Sequence, residues 1–204
     1  MKEKTAMMAL DRSLAAPAVD TLFQGYSHYP LFNHYFPDPE KKKKHLPWLF
    51  LKTIVYVRRY GECWCTPGAA GVACWLSPGN TEFTTPRALL GGFALMPFRY
   101  GLKDFARIDA QESFVSKLHK KLMPGRHLYL WVLAVRPEYQ GKGLGRRLVE
   151  SRLAAPDARE IPCFLETHDR RNVPFYKALG FVLLEEAPVP DSDLRVYAMA
   201  RRAG

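Results

Sequence analysis

The chain has no apolar run approaching the roughly 18 residues that a membrane-spanning helix needs, so no membrane partner is expected. Its four cysteines include no Cys-x-x-Cys pair, the spacing at which zinc and redox sites usually present two thiols, and no metal is expected. Cys63 and Cys65 would share one face of a strand while Cys74 and Cys163 stand alone, so all four read as small core residues. Internal repeats, low-complexity segments and Gly/Ser linkers are missing too, which leaves one domain over residues 1–204 as the default. At the N-terminus, Asp11 and Arg12 interrupt a short apolar stretch before a secretory h-region could form, and a cytoplasmic location is expected.

What the chain has in excess is positive charge. A formal net charge of +10 favours an anionic partner, whether nucleic acid, anionic lipid or a polyphosphate, and cannot choose among them. The densest run, Lys41 to Lys44, follows Pro39-Glu40 and precedes an apolar stretch, which reads as the solvated first part of a helix. A basic nucleic-acid-binding module would concentrate charge and exposed aromatics on one face; here the basic residues are spread, and no nucleic-acid partner is expected.

Patterning predicts helices over about 18–26 and 42–60, then strands 61–66 and 71–76 joined at Pro67-Gly68. Residues 89–122 read as mostly helical with an interruption near Pro97, ended by Pro124-Gly125. A β-type run covers 127–135. A helix then starts near Gly143, with Leu144, Leu148, Val149 and Leu153 as its apolar stripe and Pro156 ending or kinking it. A short strand 162–166, a helix 172–179 closed by Gly180, and strands 181–184 and 194–200 complete an α/β chain of the α+β type, a mixed sheet flanked by helices.

Between the strand ending at Val135 and the helix beginning near Gly143 runs Gln140-Gly-Lys-Gly-Leu-Gly145. Glycines leave backbone N–H groups uncovered, and a new helix presents its unpaired amides and positive dipole end at the same place, so such a turn suits a pyrophosphate. Lys142, Arg146 and Arg147 can add charge-assisted contacts. A nucleotide-binding P-loop needs Gly-x-x-x-x-Gly-Lys-Ser/Thr, which does not occur. A dinucleotide fingerprint needs a third glycine where Arg146 stands.

The remaining pattern, Gln-x-x-Gly-x-Gly at Gln140, Gly143 and Gly145, resembles the GCN5-related N-acetyltransferase (GNAT) superfamily. A second motif of that superfamily follows in order, Arg171-Asn-Val-Pro-Phe-Tyr-Lys-Ala-Leu-Gly-Phe181. The resemblance implies a GNAT fold: a mostly antiparallel central sheet with a splayed strand pair, 1–126 as the substrate-side half and 127–204 as the half that binds acetyl-coenzyme A. It implies that Gln140, Gly141, Lys142, Gly143, Leu144, Gly145 and Arg146 hold the pyrophosphate of acetyl-coenzyme A. Leu133, Ala134 and Val135 would pair with its pantetheine arm, and Asn172 and Phe175 would lie beside it. Residues 139–184 look closest to the puromycin N-acetyltransferases, more weakly extended through Tyr29-Pro30 and 73–78.

Acetyl transfer to an alkyl amine needs a neutral nucleophile, yet such an amine has a pKa of about 10, so a base must take a proton. Glu166 is the candidate, with His127 and Glu82 as rivals. The resemblance places Tyr176 beside the sulfur as hydrogen-bond donor to the leaving thiolate, while amides around Ala134 and Val135 would meet the developing oxyanion. On residues alone, Tyr176 reads as core, since Val173, Tyr176 and Gly180 share a helix face, and Asn172 equally as a helix N-cap. The aromatic residues of the first half, among them Tyr26, Tyr29, Phe32, Tyr35, Phe36, Trp48, Phe50, Trp64 and Trp75, suggest a bulky or aromatic small-molecule amine as acceptor. Residues 26–36 would line its pocket in irregular backbone. A sensor that binds acetyl-coenzyme A without transfer is the other reading.

Overall fold

The computed structural model describes residues 7–203, so residues 1–6 of the N-terminal stretch considered above lie outside it. Seven strands, β1 (Met8–Ala9), β2 (Gly61–Cys65), β3 (Gly71–Leu76), β4 (Leu128–Val135), β5 (Cys163–Thr167), β6 (Val182–Pro188) and β7 (Arg195–Arg201), form one sheet in the order β1-β2-β3-β4-β5-β7-β6. Every neighbouring pair is antiparallel except β4–β5. Nine α-helices are described: α1 (Ala15–Gly25), α2 (Pro30–Tyr35), α3 (Pro39–Tyr60), α4 (Thr85–Leu90), α5 (Met96–Tyr100), α6 (Leu102–Leu122), α7 (Leu144–Leu153), α8 (Pro156–Arg159) and α9 (Val173–Lys177).

The period-two alternation of the strands feeds two cores, one on each face. Phe164 of β5 packs with Leu22, Phe50, Val57 and Val115 of α1, α3 and α6, whereas its neighbours Cys163 and Leu165 pack with Leu148, Val149 and Tyr176 of α7 and α9. All four cysteines are buried and free, as small core residues; the Sγ atoms of Cys63 and Cys74 stand 3.5 Å apart across β2 and β3.

The parallel pair is bonded only at its start, Leu128 opposite Cys163 and Tyr129 opposite Phe164. Beyond those two positions the strands part while β4 stays paired with β3 as far as Val135. The cause is a bulge. Trp75 pairs with Leu130 and Cys74 with Val132, so Trp131 is an extra residue on β4, and such an insertion bends a strand and raises its local twist. The wedge between β4 and β5 is filled from the first core face by the C-terminus of α1. A Cβ added at Gly25 would lie 2.9 Å from the Ala134 Cβ and 3.3 Å from the Val135 carbonyl oxygen. Neither neighbour can swing aside. Gly25→Val should therefore lower stability by about 1–3 kcal/mol, the usual cost of overpacking, read as a fall in the urea midpoint with an unchanged slope.

Several elements depart from the sequence reading for identifiable reasons. Pro30, Pro39, Pro97 and Pro156 all stand in the first turn of a helix, where the missing N–H is not needed. Residues 30–35 are thus helical rather than irregular, and Pro156 opens α8 after α7 has ended at Leu153. The long segment after residue 85 is broken at Gly92 and Gly101, whose φ values of 82° and 80° suit glycine, and not at Pro97. Lysines 41–44 are partly tied down: Lys41 Nζ lies 2.8 Å from Asp104, and Lys42 Nζ donates to the Ser27 carbonyl and Asn33 at 2.7 Å each. Asp38 caps that helix by accepting the Glu40 N–H at 2.8 Å.

Candidate active site

The loop from β4 to α7 leaves a row of amides without acceptors. Tyr139 and Gln140 donate back to Arg136 and Pro137, and Arg147 donates to the Gly143 carbonyl at 3.0 Å; among the described residues nothing accepts from the N–H groups of residues 141–146. Gly141 and Gly143 have φ values of 72° and 78°, which turn consecutive amides the same way and suit glycine alone. The row ends in the first turn of α7, whose dipole adds positive potential. Gln140 stays outside the cradle and bonds it to the strand, its Nε2 donating to the Val135 carbonyl at 3.0 Å. Leu144 is buried beneath the loop, and Gly145 faces Phe175 and Val135, so that an added Cβ would touch both at 3.6 Å.

The cations are less uniform than their sequence positions imply. Lys142 is folded onto its own loop, with Nζ bonding the Glu138 carbonyl at 2.8 Å and lying 5.0 Å from the Tyr139 ring centroid. Arg146 points away, to Glu150 at 2.7 Å and the Ala178 carbonyl at 3.2 Å, and would have to swing to reach an anion at the loop. Arg147 makes no ion pair or side-chain hydrogen bond among the described residues, and is the cation on this turn available without rearrangement.

Upstream, one edge of β4 faces the wedge. The Tyr26 hydroxyl accepts from the Leu133 N–H at 3.1 Å and lies 2.9 Å from the Leu133 carbonyl oxygen, so Leu133 faces the wedge. Backbone groups alternate along a strand, so Val135 faces the wedge as well and Ala134 turns its amide toward β3. The next residue of Ala134's parity confirms the direction, since the Arg136 N–H donates to the Ala70 carbonyl at 2.9 Å. The amides that face the wedge are those of Leu133, which the Tyr26 hydroxyl holds, and Val135, not that of Ala134.

Across the wedge, Tyr29 shares a 2.9 Å hydrogen bond with the Thr167 hydroxyl and accepts from the His168 N–H at 2.6 Å. Thr167 also accepts from the Asn172 side-chain amide at 3.1 Å, so Asn172 joins the end of β5 to α9 and does not cap the helix. Tyr176 approaches from the opposite face, near enough to Tyr26 and Tyr29 to affect their ionisation. Its ring is buried, yet its hydroxyl has no hydrogen-bond partner among the described residues. Burial pushes its pKa well above the ordinary 10.

Glu166 lies on the α6 side of β5, its side chain 4% exposed. Burial pushes its pKa up to about 8, against the lowering effect of a hydrogen bond from Tyr129. One carboxyl oxygen, Oε1, has no hydrogen-bond partner and lies 3.5 Å from His119 Nδ1. His119 in turn touches His127, Nε2 to Nε2 at 2.7 Å. Burial, before any charge effect, pushes His119 down to about 3 and lowers His127. Glu82, the third candidate base, is exposed and paired with Lys120 at 3.1 Å. His119, Tyr129 and the Tyr26 and Tyr29 hydroxyls were not singled out by sequence for these roles. Their signals were faint: tyrosines three apart at a helix end, and two histidines flanking the Pro124-Gly125 turn.

The comparisons agree with this geometry. Residues 107–183 match the family model of the acetyltransferase (GNAT) domain. A solved structure described as a histone acetyltransferase HPA2 and related acetyltransferase, from Corynebacterium glutamicum, superposes with a TM-score of 0.70 at 22% identity, covering 98% of this chain and 96% of that one.

Residues 107–183 thus look like a GNAT acetyltransferase domain, and the fold is that of the GNAT structures.

The GNAT fold extends over the described sheet, and the splayed β4–β5 pair with the loop before α7 falls inside the matched region. A polyamine N-acetyltransferase of Drosophila melanogaster that forms N-acetylagmatine has a TM-score of 0.65 at 15% identity, over 97% of this chain and 99% of that one. An uncharacterized N-acetyltransferase of Schizosaccharomyces pombe is 29% identical over 119 residues, 55% of this chain and 47% of that protein. The chain thus spans less than half the length of the curated relatives it matches. Among the described residues no helix is long and apolar enough to cross a membrane, and no cluster of three or more His, Cys, Asp or Glu side chains could hold a metal ion.

Proposed function

We propose that this chain transfers the acetyl group of acetyl-coenzyme A directly to a primary amine of a small molecule in the cytoplasm. The observation that carries the reading is the run of six amides, residues 141–146, without acceptors at the start of α7, continuous with the open edge of β4. The first suits a diphosphate and the second an amide-bearing arm that adds as a strand does. Acetyl-coenzyme A would supply the activated acyl group. Leu133 and Val135 would direct N–H groups at the carbonyl oxygen as charge builds on it, after the Tyr26 hydroxyl yields the Leu133 amide. Tyr176 would donate its uncommitted hydroxyl to the departing sulfur. Glu166 would take the amine's proton.

In this reading residues 127–204 supply the acetyl-coenzyme A side and 1–126 the acceptor side. The named activities of the structural neighbours, a polyamine acetyltransferase among them, favour a small amine. The likeness of 139–184 to puromycin N-acetyltransferases extends the proposal to a bulky or aromatic one. Of the first-half aromatics, Phe32, Tyr35, Phe36, Phe50 and Trp75 are core, while Tyr26 and Tyr29 are half-buried beside the wedge and would meet the acceptor. The free Tyr176 hydroxyl favours catalysis over a role as a non-transferring sensor.

Acetyl-coenzyme A at about 100 times its Kd should stabilise the fold by about 2.7 kcal/mol, a rise in Tm of roughly 5–10 °C for a chain of this size. Thiol release with a panel of amines, polyamines and puromycin included, completes the test. An unchanged Tm together with no thiol release would refute the proposal.

A further inference from the structure

Glu166, His127 and Glu82 compete as bases when the sequence is read alone, yet the fold arranges them in series. Glu166 Oε1 lies 3.5 Å from His119 Nδ1, and His119 Nε2 lies 2.7 Å from His127 Nε2. His127 Nδ1 lies 2.6 Å from the Gly125 carbonyl oxygen. Both imidazoles open onto a cavity of about 160 Å³ on the α6 side of the sheet, whose rim includes Glu82, Ser116 and Lys120. We propose that His119 and His127 form a proton path that connects Glu166 to solvent in this cavity, away from the wedge where acetyl transfer takes place. The inference rests on Glu166 as the base.

The hydrogen-bond directions fix where the protons sit. A carbonyl only accepts, so His127 carries its proton on Nδ1 and presents a bare Nε2. His119 must then donate from Nε2, which leaves its own Nδ1 bare and facing Glu166 Oε1. Two bare acceptors would repel each other in a buried site, so the proton between them belongs to one of the two. His119 is buried against Phe164 with ring centroids 4.3 Å apart, and burial opposes its charging; the proton therefore resides on Glu166. The other ionisable neighbours act the same way. Glu112 on α6 disfavours the Glu166 anion, Lys120 on α6 disfavours the His119 cation, and Tyr129 on β4 stays neutral, its pKa pushed up by burial.

A carboxylic acid cannot serve as a base until it has lost its proton. Along the path, the Glu166 O–H bond breaks as His119 Nδ1–H forms, and His119 Nε2–H breaks as His127 Nε2–H forms. The His127 Nδ1 proton then passes to water in the cavity. The carboxylate left behind takes one proton from the amine as the new C–N bond is made, and each imidazole returns to its starting tautomer by giving up one ring proton and taking another through the water of the cavity. The result is that the proton leaves through the cavity and not through the wedge.

His127→Gly and His127→Asn test the path. We expect kcat at neutral pH to fall roughly 10- to 100-fold in each, within the range of acid–base contributions, with KM for acetyl-coenzyme A unchanged. Added imidazole should restore the rate of His127→Gly saturably and leave the wild type unaffected, a response that a purely structural histidine would not give. Wild-type kcat in both variants, beside an inactive Glu166→Gln enzyme, would overturn the path while leaving the acetyltransferase reading intact. Nitrogen-15 NMR of the two rings provides a readout independent of activity. Protons on His127 Nδ1 and His119 Nε2 support the path, and the reverse assignment overturns it. A wild type that releases no thiol with any amine overturns the underlying reading, and the catalytic path with it.

Discussion

Replacing Glu166 by glutamine should lower kcat by about 10²- to 10⁴-fold, the range that a positioned base contributes, with little effect on acetyl-coenzyme A affinity. The substitution keeps the shape of the side chain and removes the ability to take a proton. With its pKa near 8, Glu166 is mostly protonated at neutral pH, so wild-type kcat/KM should climb close to tenfold per pH unit below about 8 and level off above it. Stability should run the other way. The folded state holds this proton between the ordinary value of 4.5 and about 8, so the contribution is present at low pH and lost as pH rises through that window. Glu112, also raised, adds in the same direction. His119 and His168, held near 3 and 4 by burial, oppose it only below about 6.5, where the unfolded chain would bind their protons first. Tm should thus decline between about pH 6.5 and 8, by up to roughly 1.4 kcal/mol per pH unit in stability, and the decline should flatten in Glu166→Gln. Full turnover in that variant would remove Glu166 from the reaction.

For Tyr176→Phe the expected loss in kcat is about 10- to 1000-fold, or about 1.4–4 kcal/mol at the transition state. A phenol of pKa about 10 is already a weaker acid than a thiol near 8.5, and burial raises Tyr176 further. Its contribution is therefore a hydrogen bond to sulfur as charge develops, with no complete proton transfer in the resting site. Because the hydroxyl bonds nothing among the described residues, removing it leaves no orphaned partner, and the variant should melt at or above the wild-type temperature. Unchanged turnover would return Tyr176 to the status of a core residue.

The glycine turn with its uncovered amides was readable in the sequence because its geometry is local. Glycines at 141 and 143 require only their own φ angles and the start of α7 to expose the amides. A mixed sheet was also legible from the order of strands and helices, and the GNAT resemblance implied that it is mostly antiparallel. What escaped depends on contacts between residues far apart in the chain. Tyr26 meets Leu133 over 107 positions and Tyr29 meets Thr167 over 138, and no period or motif announces either pair. His119 looked like one more polar residue of a long helix, and only the burial of α6 against Phe164 makes it a neighbour of Glu166. The prolines misled for the opposite reason. They were read as breaks, although a proline in the first turn of a helix obeys local rules just as well.

The extra residue at Trp131 makes β4 a strand of two parities. Before it, side chains and amides follow one alternation; after it, the alternation is shifted by one, and this shift turns Leu133 and Val135 toward the wedge. Paired without that bulge, the same residues would run on in the first alternation and Ala134 would take their place, in an unbroken ladder with β3 slipped by one position. The tidier sheet would lock the Leu133 and Val135 amides into the β3 ladder, so the imperfection in β4 decides which residues the proposed reaction would use.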